Sequence, residues 1–390
     1  MIEFSISGVN VDISIIIVNF NTCDLLGKCI RSILTQERCG IIEIIVVDNQ
    51  STDGSVAMVT RFFPSVRIIQ NRNNAGFSKA NNQGLAMARG DHVFFLNPDT
   101  ELCPDCLSAL LDHMRSNPST GAAGPRTFID EALDLEVCSL KILSLKRALT
   151  LFTRMPFISR RSTLESIWNL DLALWQSTTD TQVEGIGGAG FFMRRELAIS
   201  LGGMDERFFM GYEDTDLSAR IRACNLAITI VARAHMIHWF GQAKKLDSAP
   251  PKKIYDWHAA PLAFLKKYSG SSVAVFFRAL KLLDLLLPKS TVDDRFVTIQ
   301  PNESAGHYVI KWNPIPLSRY LLEISNTPEF YDKFALVTRD THARLPLSLF
   351  RRLATPNWFI RVVELDQPAW NAPLLQAKLA LPSSQGLDKS

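Results

Sequence analysis

The chain has 390 residues, which at ~150 residues per domain suggests two or three domains. It is 47% hydrophobic and 21% charged, an ordinary globular composition that excludes a disordered or fibrous protein. Its net charge of +3 is too small to argue for nucleic acid. The first third alternates strand and helix patterns. Ile13 to Val18 predicts a buried strand and Asp24 to Leu34 a helix. Glu43 to Val47 predicts a second strand, with Asp53 capping a helix that starts near Gly54 and runs to Phe63. Val66 to Ile69 reads as a third strand and Phe77 to Arg89 as a helix. Val93 to Leu96 is a fourth strand, which Pro98 must end because proline cannot donate to a ladder. Pro104 suits the first position of a helix reaching Ser116. This alternation predicts an α/β fold with a parallel sheet covered by helices on both faces.

Polar residues collect at one edge of that sheet. Asn19 and Asn21 follow the first strand, and Asp48, Asn49 and Ser51 the second. Arg72, Asn73 and Asn74 follow the third, and Asn97 and Asp99 the fourth. Turn chemistry accounts for any one of these sites. Their repetition fits a nucleotide-sized polar cleft at the C-terminal ends of the strands better. No G-x-G-x-x-G follows the first strand and no G-x-x-x-x-G-K-[ST] occurs, which excludes the dinucleotide and P-loop readings.

From Pro125 to Thr181 the rhythm breaks down. Lys141, Lys146, Arg147, Arg154, Arg160 and Arg161 fall in an apolar stretch without acids, either a solvated helix face or a surface for an anionic or lipid-linked acceptor. Order returns at Glu184 to Arg195 (EGIGGAGFFMRR), whose glycines permit close backbone approach. A helix from Glu196 to Leu201 ends at Gly202-Gly203. Glu213, Asp214 and Asp216 then crowd a helix start. One or two acids suit a helix dipole, and a third asks for another explanation. A strand at Ala227 to Val231 precedes His235 and His238.

Val273 to Leu287 predicts an amphipathic helix that packs on its own domain or lies on a membrane surface. No stretch reaches the ~18 uncharged apolar residues of a membrane span. Met1 to Asp12 lacks the basic region of a secretory signal. The seven Cys are odd in number and suggest no disulfide framework. Cys103-Pro104-Asp105-Cys106 has no second pair or nearby His to complete a zinc pattern, so reduced thiols in a cytoplasmic protein are expected. After Pro288, short strands at Phe296–Ile299, His307–Trp312, Tyr320–Ser325, Phe334–Thr338 and Trp358–Leu365 predict a small antiparallel β-sandwich. They look like a fibronectin type III module, and residues 381–390 read as a polar tail.

The motifs SIIIVNFN, IIVVDNQSTDGS, NRNNAGFSKANNQG, GDHVFFLNPDT, GGAGFFMRR and GMDERFFMGYEDTDLSARI occur in that order over roughly two thirds of the chain. Together they resemble the family-2 glycosyltransferases with the GT-A fold, especially rhamnosyltransferase-like members. The resemblance implies a GT-A domain over residues 1–270, an amphipathic linker over 271–290, a β-rich domain over 291–380 and the tail. It implies Asp99 and His238 as ligands of Mg²⁺ or Mn²⁺, with Asn97 where many relatives carry a first Asp. It implies Asp214 as general base with Glu213 as the next candidate, and inversion at the anomeric carbon. Asp48 is expected at the N3–H of uracil or thymine. Asn19, Asn21, Arg72, Asn74, Asn81, Asn97 and Asp99 are expected along the rest of a nucleotide-sugar, and Gly188 and Glu213 at the acceptor. The implied partners are a UDP- or dTDP-sugar and a glycan or lipid-linked acceptor, with no nucleic acid. The implied place is the cytoplasm, at the inner face of the membrane where the acceptor is lipid-linked. The competing readings are a nucleotide-sugar-binding protein without catalysis and a membrane-surface scaffold. A nucleotidyltransferase would need a Gly-rich basic loop after the first strand, where VNFNTCD stands.

Overall fold

The computed structural model describes residues 11–152, 160–240, 259–284, 297–299, 307–311, 320–325, 333–338, 340, 342–346, 358–364 and 375–379. The expected tail at 381–390 and Arg154 of the basic stretch lie outside the described residues. In chain order the elements begin β1 (Ile13–Asn19), α1 (Cys23–Leu34), β2 (Ile42–Asp48), α2 (Ser55–Phe62), β3 (Arg67–Gln70), α3 (Phe77–Met87), β4 (His92–Leu96) and β5 (Thr100–Leu102). They continue α4 (Cys106–Ser116), β6 (Thr120–Phe128), β7 (Glu136–Val137), α5 (Leu145–Phe152), α6 (Arg160–Gln176), β8 (Thr181–Gln182), β9 (Gly190–Arg194) and α7 (Arg195–Ser200). Then follow α8 (Glu213–Ala223), β10 (Ala227–His238), α9 (Ala259–Ser269) and α10 (Ser271–Asp284). The last strands are β11 (Val297–Ile299), β12 (His307–Lys311), β13 (Tyr320–Ser325), β14 (Lys333–Thr338), β15 (His342–Pro346), β16 (Trp358–Glu364) and β17 (Leu375–Leu379).

Contacts divide the chain into two units. The first comprises residues 1–127, 139–159 and 177–286. Its sheet runs β3-β2-β1-β4-β9-β6. The first four strands are parallel, and β9 is antiparallel to both β4 and β6. β1, β2 and β4 are buried along their whole length, so both sheet faces are covered, as the unbroken Ile and Val runs require. The register pairs Asn19 with Asp48 and Asp48 with Gln70, which aligns the polar strand ends along one edge. β10 is longer than the sequence predicts because it crosses several partners, pairing antiparallel with β8 near its start and with β5 at its end. α4 begins at Cys106, not at Pro104. Asp105 takes a left-handed φ of 61°, which ends the preceding turn and delays the helix.

The second unit comprises residues 128–138, 160–176 and 287–390. Its sheet runs β11-β17-β16-β13-β14-β7, with β12 and β15 forming a separate two-stranded sheet. The smaller β-rich region expected at the C-terminus is therefore present. It departs from a purely antiparallel sandwich in two ways. β11 and β17 are parallel, and α6, from the middle of the chain, packs Trp168, Leu172 and Trp175 against Leu321, Ala335 and Val363. The sequence drew the first domain as one continuous segment to residue 270. The contacts place 128–138 and 160–176 with the later strands instead, because an apolar helix stripe needs a sheet to bury it. Across β13 and β16, Glu323 and Arg361 sit opposite one another as a buried ion pair, with Nε 2.6 Å from Oε2.

A chain ending at residue 290 leaves Trp168, Leu172 and Trp175 without their partners. Burial of each such side chain stabilises by about 1.5–3 kcal/mol, so this shortened chain is expected to aggregate and bind a hydrophobic dye. A monomeric, dye-negative 1–290 chain would show that α6 does not depend on the later strands.

Candidate active site

The edge formed by the strand ends is built on Asn19 and Asp48, both buried. Asn19 Nδ2 donates to Asp48 Oδ1 at 2.8 Å and to Ser51 Oγ at 2.9 Å, while its Oδ1 accepts from Thr22 Oγ1 at 2.6 Å. Asp48 Oδ2 accepts from the Ser51 amide at 2.9 Å. Asn21 stands at a left-handed φ of 55°, and its Oδ1 accepts from the Thr52 amide. Asp53 reaches farther than a helix cap. Its Oδ1 takes the Ser55 amide at the start of α2, and its Oδ2 takes the Cys23 amide at the start of α1. Burial favours a neutral Asp53, but these amides and the Ser55 hydroxyl outweigh it and hold the carboxyl below its usual range.

Arg72 and Asn74 lie in the turn after β3. Arg72 is exposed, and Asn74 Oδ1 accepts from the Gly76 amide. Asn81 is buried on α3, where Nδ2 donates to the Phe77 carbonyl and Oδ1 has no hydrogen-bond partner. Much of the polar NRNNAGFSKANNQG motif fastens backbone. Asn71 bridges Asn49 and Gln83. Asn82 exchanges two hydrogen bonds with Met204, donating to its carbonyl at 2.9 Å and accepting from its amide at 2.8 Å. The Phe77 amide donates to the Phe209 carbonyl at 2.7 Å, and Ser78 Oγ donates to the Phe208 carbonyl. Gly76, at φ 87°, makes this docking possible, since a Cβ there would lie 2.7 Å from the Phe209 ring. The loop leading to Glu213 and Asp214 is thus tied to the start of α3.

Two pairs of chemical groups meet around the turn before β9. Asp99 and His238 form the first, with Oδ1 3.1 Å from Nε2. Burial alone would raise the Asp99 carboxyl, but the adjacent His238 lowers it. The Trp239 amide donates to the Asp99 carbonyl, and Thr100 pairs with His238 across β5 and β10, which brings together residues 139 positions apart. Asn97 Oδ1 is buried with no hydrogen-bond partner. Glu213 and Asp214 form the second pair. Asp214 Oδ2 accepts from the Gly188 amide at 2.8 Å and Oδ1 from the Thr215 amide at 2.6 Å. Glu213 is buried and its Oε2 has no partner. Burial, then the neighbouring Asp214 charge, pushes the Glu213 carboxyl up to about 8. Burial also raises Asp214, partly offset by the Gly188 and Thr215 donors.

The turn joins the two pairs. The Asn97 amide donates to the Ala189 carbonyl at 3.0 Å, while the next residue back, Gly188, donates to Asp214. A Cβ on Gly188 would stand 3.6 Å from both Glu213 Oε1 and Asp214 Oδ2. Asp216 serves a different end. Fully buried, it accepts from Arg220 Nε at 2.7 Å and Tyr268 OH at 2.8 Å and pairs with Lys267, which also holds Asp205 at 2.8 Å. This network anchors α8 to α9. Sequence reasoning missed Lys267, because a Lys pair in a last helical turn reads as surface charge. It also left Arg147 open as a surface cation, whereas its guanidinium forks onto Glu184.

Residues 14–164 match the sequence profile of glycosyl transferase family 2. The chain carries a family 2 glycosyltransferase domain. An N-acetylglucosaminyl-diphospho-decaprenol L-rhamnosyltransferase of Mycobacterium tuberculosis is 26% identical over 241 residues, 59% of this chain and 76% of that protein. The O-antigen biosynthesis protein RfbC of Myxococcus xanthus is 26% identical over 257 residues, 64% of this chain and 19% of that protein. The crystal structure of GalNAc-T7 with UDP, GalNAc and Mn²⁺ superposes with a TM-score of 0.51 at 15% identity, covering 69% of this chain and 51% of that one. That likeness concerns the fold, and the GT-A architecture expected for this glycosyltransferase is the one observed.

The raised Glu213 carboxyl has a measurable consequence. Between an unfolded value of 4.5 and a folded value of about 8, the folded chain holds the extra proton, so stability falls as pH rises through that window. Glu213→Gln removes the charge. Its stability relative to the parent chain is expected to increase from pH 5 to pH 9 by roughly 2–4 kcal/mol, at about 1.4 kcal/mol per pKa unit. Urea unfolding at the two pH values checks this, and a pH-independent difference would mean that Glu213 ionises normally.

Proposed function

We propose that this glycosyltransferase works in the assembly of cell-surface polysaccharide or glycolipid. In this reading it moves a sugar, rhamnose first among the candidates, from a UDP- or dTDP-sugar to a hydroxyl of a glycan or lipid-linked acceptor. The observation that carries the reading is the turn at Gly188 and Ala189, which links the Asp99–His238 pair to the Glu213–Asp214 pair at one sheet edge. The family 2 domain supports glycosyl transfer, and the rhamnosyltransferase and O-antigen relatives support the sugar, the lipid-linked acceptor and cell-surface glycan synthesis. A lipid-linked acceptor would place the work at the inner face of the cytoplasmic membrane.

In the proposed reaction the acceptor oxygen bonds to the anomeric carbon as the bond from that carbon to the diphosphate oxygen breaks. The acceptor proton passes to Asp214, and the nucleoside diphosphate leaves. Burial raises the Asp214 carboxyl above its ordinary value, which strengthens it as a base, and the Gly188 and Thr215 amides fix its orientation. Burial and the neighbouring Asp214 charge raise the Glu213 carboxyl, which favours one charge on the pair rather than two, and its unpartnered Oε2 suits an acceptor hydroxyl. A single base without a second nucleophile corresponds to inversion. Asp48 with Asn19 and Asn21 would hold the base. Arg72, Asn74 and Asn81 would serve the ribose and phosphates, with Asn97 and Asp99 nearest the diphosphate.

The donor set beside Asn97 fits a divalent cation. One carboxylate, one imidazole and one buried amide oxygen without a partner are the oxygen and nitrogen ligands that Mg²⁺ or Mn²⁺ accepts. Among the described residues no third His, Cys, Asp or Glu joins Asp99 and His238, so diphosphate oxygens would complete the shell. A cation there would offset the charge of the departing diphosphate.

Asp214→Asn is expected to lower kcat by at least ~10²-fold while donor affinity stays within about threefold. Turnover at the parent rate would remove Asp214 as the base. Chelation with EDTA is expected to abolish transfer, and Mn²⁺ or Mg²⁺ to restore it. Asp99→Ala should lose Mn²⁺ binding measured by calorimetry in the presence of UDP, and full activity in chelator would refute the cation.

A further inference from the structure

Helix α1 presents a row of polar groups to the segment that follows β4. Cys29 and Ser32 share one face of it, and Gln36 follows just past its end. Cys29 Sγ donates to the Asn97 carbonyl at 3.6 Å, Ser32 Oγ accepts from the Leu102 amide at 3.0 Å, and Gln36 Nε2 donates to the Cys103 carbonyl at 2.9 Å. The Asn97 carbonyl also takes the hydroxyl of Thr100 at 2.7 Å, which clasps the Asn97–Thr100 turn from within. On its other side the Asn97 amide donates to the Ala189 carbonyl at 3.0 Å. Both backbone groups of Asn97 are thus held, while its buried Oδ1 has no hydrogen-bond partner.

Thr100 is the residue common to the three donors proposed for a cation. It follows Asp99 in the chain, its hydroxyl bonds to Asn97, and it pairs with His238 across β5 and β10. We infer that Thr100 is a positioning residue for that cation, its hydroxyl fixing the Asn97 peptide so that Oδ1 stays available to Mg²⁺ or Mn²⁺ beside Asp99 and His238. Thr100 is fully buried and its hydroxyl proton goes to the Asn97 carbonyl, so it acts through Asn97. The inference rests on the cation reading of that donor set.

Packing alone does not call for a threonine here. Valine fills a buried strand position at nearly the same volume, whereas a buried hydroxyl has to find a partner. The partner found is the carbonyl of the residue whose side-chain oxygen is left without one. Cys29 does not replace the hydroxyl, because a thiol is a weak donor and its contact is long. Loss of the hydroxyl loosens the turn without releasing β5, which Ser32 and Gln36 hold at Leu102 and Cys103. Groups that orient metal ligands in this way typically change metal affinity roughly 10–100-fold.

The test is calorimetric titration of Mn²⁺ into the full chain in the presence of UDP and, separately, of dTDP. Thr100→Val is expected to weaken Mn²⁺ binding about tenfold and Thr100→Ser to bind within about twofold of the parent, with nucleotide affinity in EDTA changed less than about twofold in both. Asn97→Ala supplies the second arm. In that background Thr100→Val is expected to weaken binding less than about twofold, whereas a general loosening of the fold would weaken it equally in both backgrounds. Thr100→Ala stands in as the hydroxyl-free variant should valine lower the yield of folded chain. The inference is overturned, with the cation reading intact, if the parent binds Mn²⁺ and Thr100→Val binds it as tightly, or if the loss is the same with and without Asn97. A parent chain that binds no Mn²⁺ overturns the cation reading and this inference together.

Discussion

A carboxylate withdrawn from water must find its hydrogen bonds inside the protein, and the polar edge of the sheet is arranged by where its buried acids find them. Asp48 takes Asn19 and the Ser51 amide and thereby fixes the ends of two neighbouring strands. Asp53 takes the first-turn amides of two helices. Asp216 takes Arg220, Lys267 and Tyr268 and binds α8 to α9. These acids are satisfied by the fold and hold it together. Glu213 and Asn97 differ in keeping buried oxygens without hydrogen-bond partners.

The same constraint explains why distant segments form one site. The sheet delivers Asp99 to an edge, but His238 arrives there because β10 pairs with β5, and Asp214 because the 204–212 loop docks on α3. Gly188 and Ala189 are adjacent in the chain, the first bonding to Asp214 and the second to Asn97, so one turn joins the two pairs.

Much of the first unit was legible because its strands are buried on both faces. ISIIIV, EIIVV and VFFL admit few other readings, and the polar residues after them announced the edge. The long β10 was not legible as one strand, since local pattern cannot show that a strand changes partners along its length. Nor was the role of Asn82, whose hydrogen bonds to Met204 span 122 positions. Arg147 and Lys267 read as surface charges because the sequence does not show which acid folds beside them. The membership of α6 in the second unit was hidden for the same reason. Its Trp and Leu stripe called for a sheet, and the strands that answer it lie more than a hundred residues later.

The sequence by itself determined the layered α/β architecture and the edge on which polar groups gather. Hydrophobic period and strand-ending residues are local properties, and a motif keeps its meaning wherever the chain carries it. Only the tertiary structure decided which acids are held by partners from other segments and which keep an unpartnered oxygen. Glu213, Asp214 and Asp216 stand within one helical turn and look alike in sequence. Asp216 meets a lysine and a tyrosine from α9, Asp214 meets the Gly188 amide, and Glu213 meets nothing at Oε2. Protonation follows from those partners, and partners that come from other segments exist only once the chain has closed.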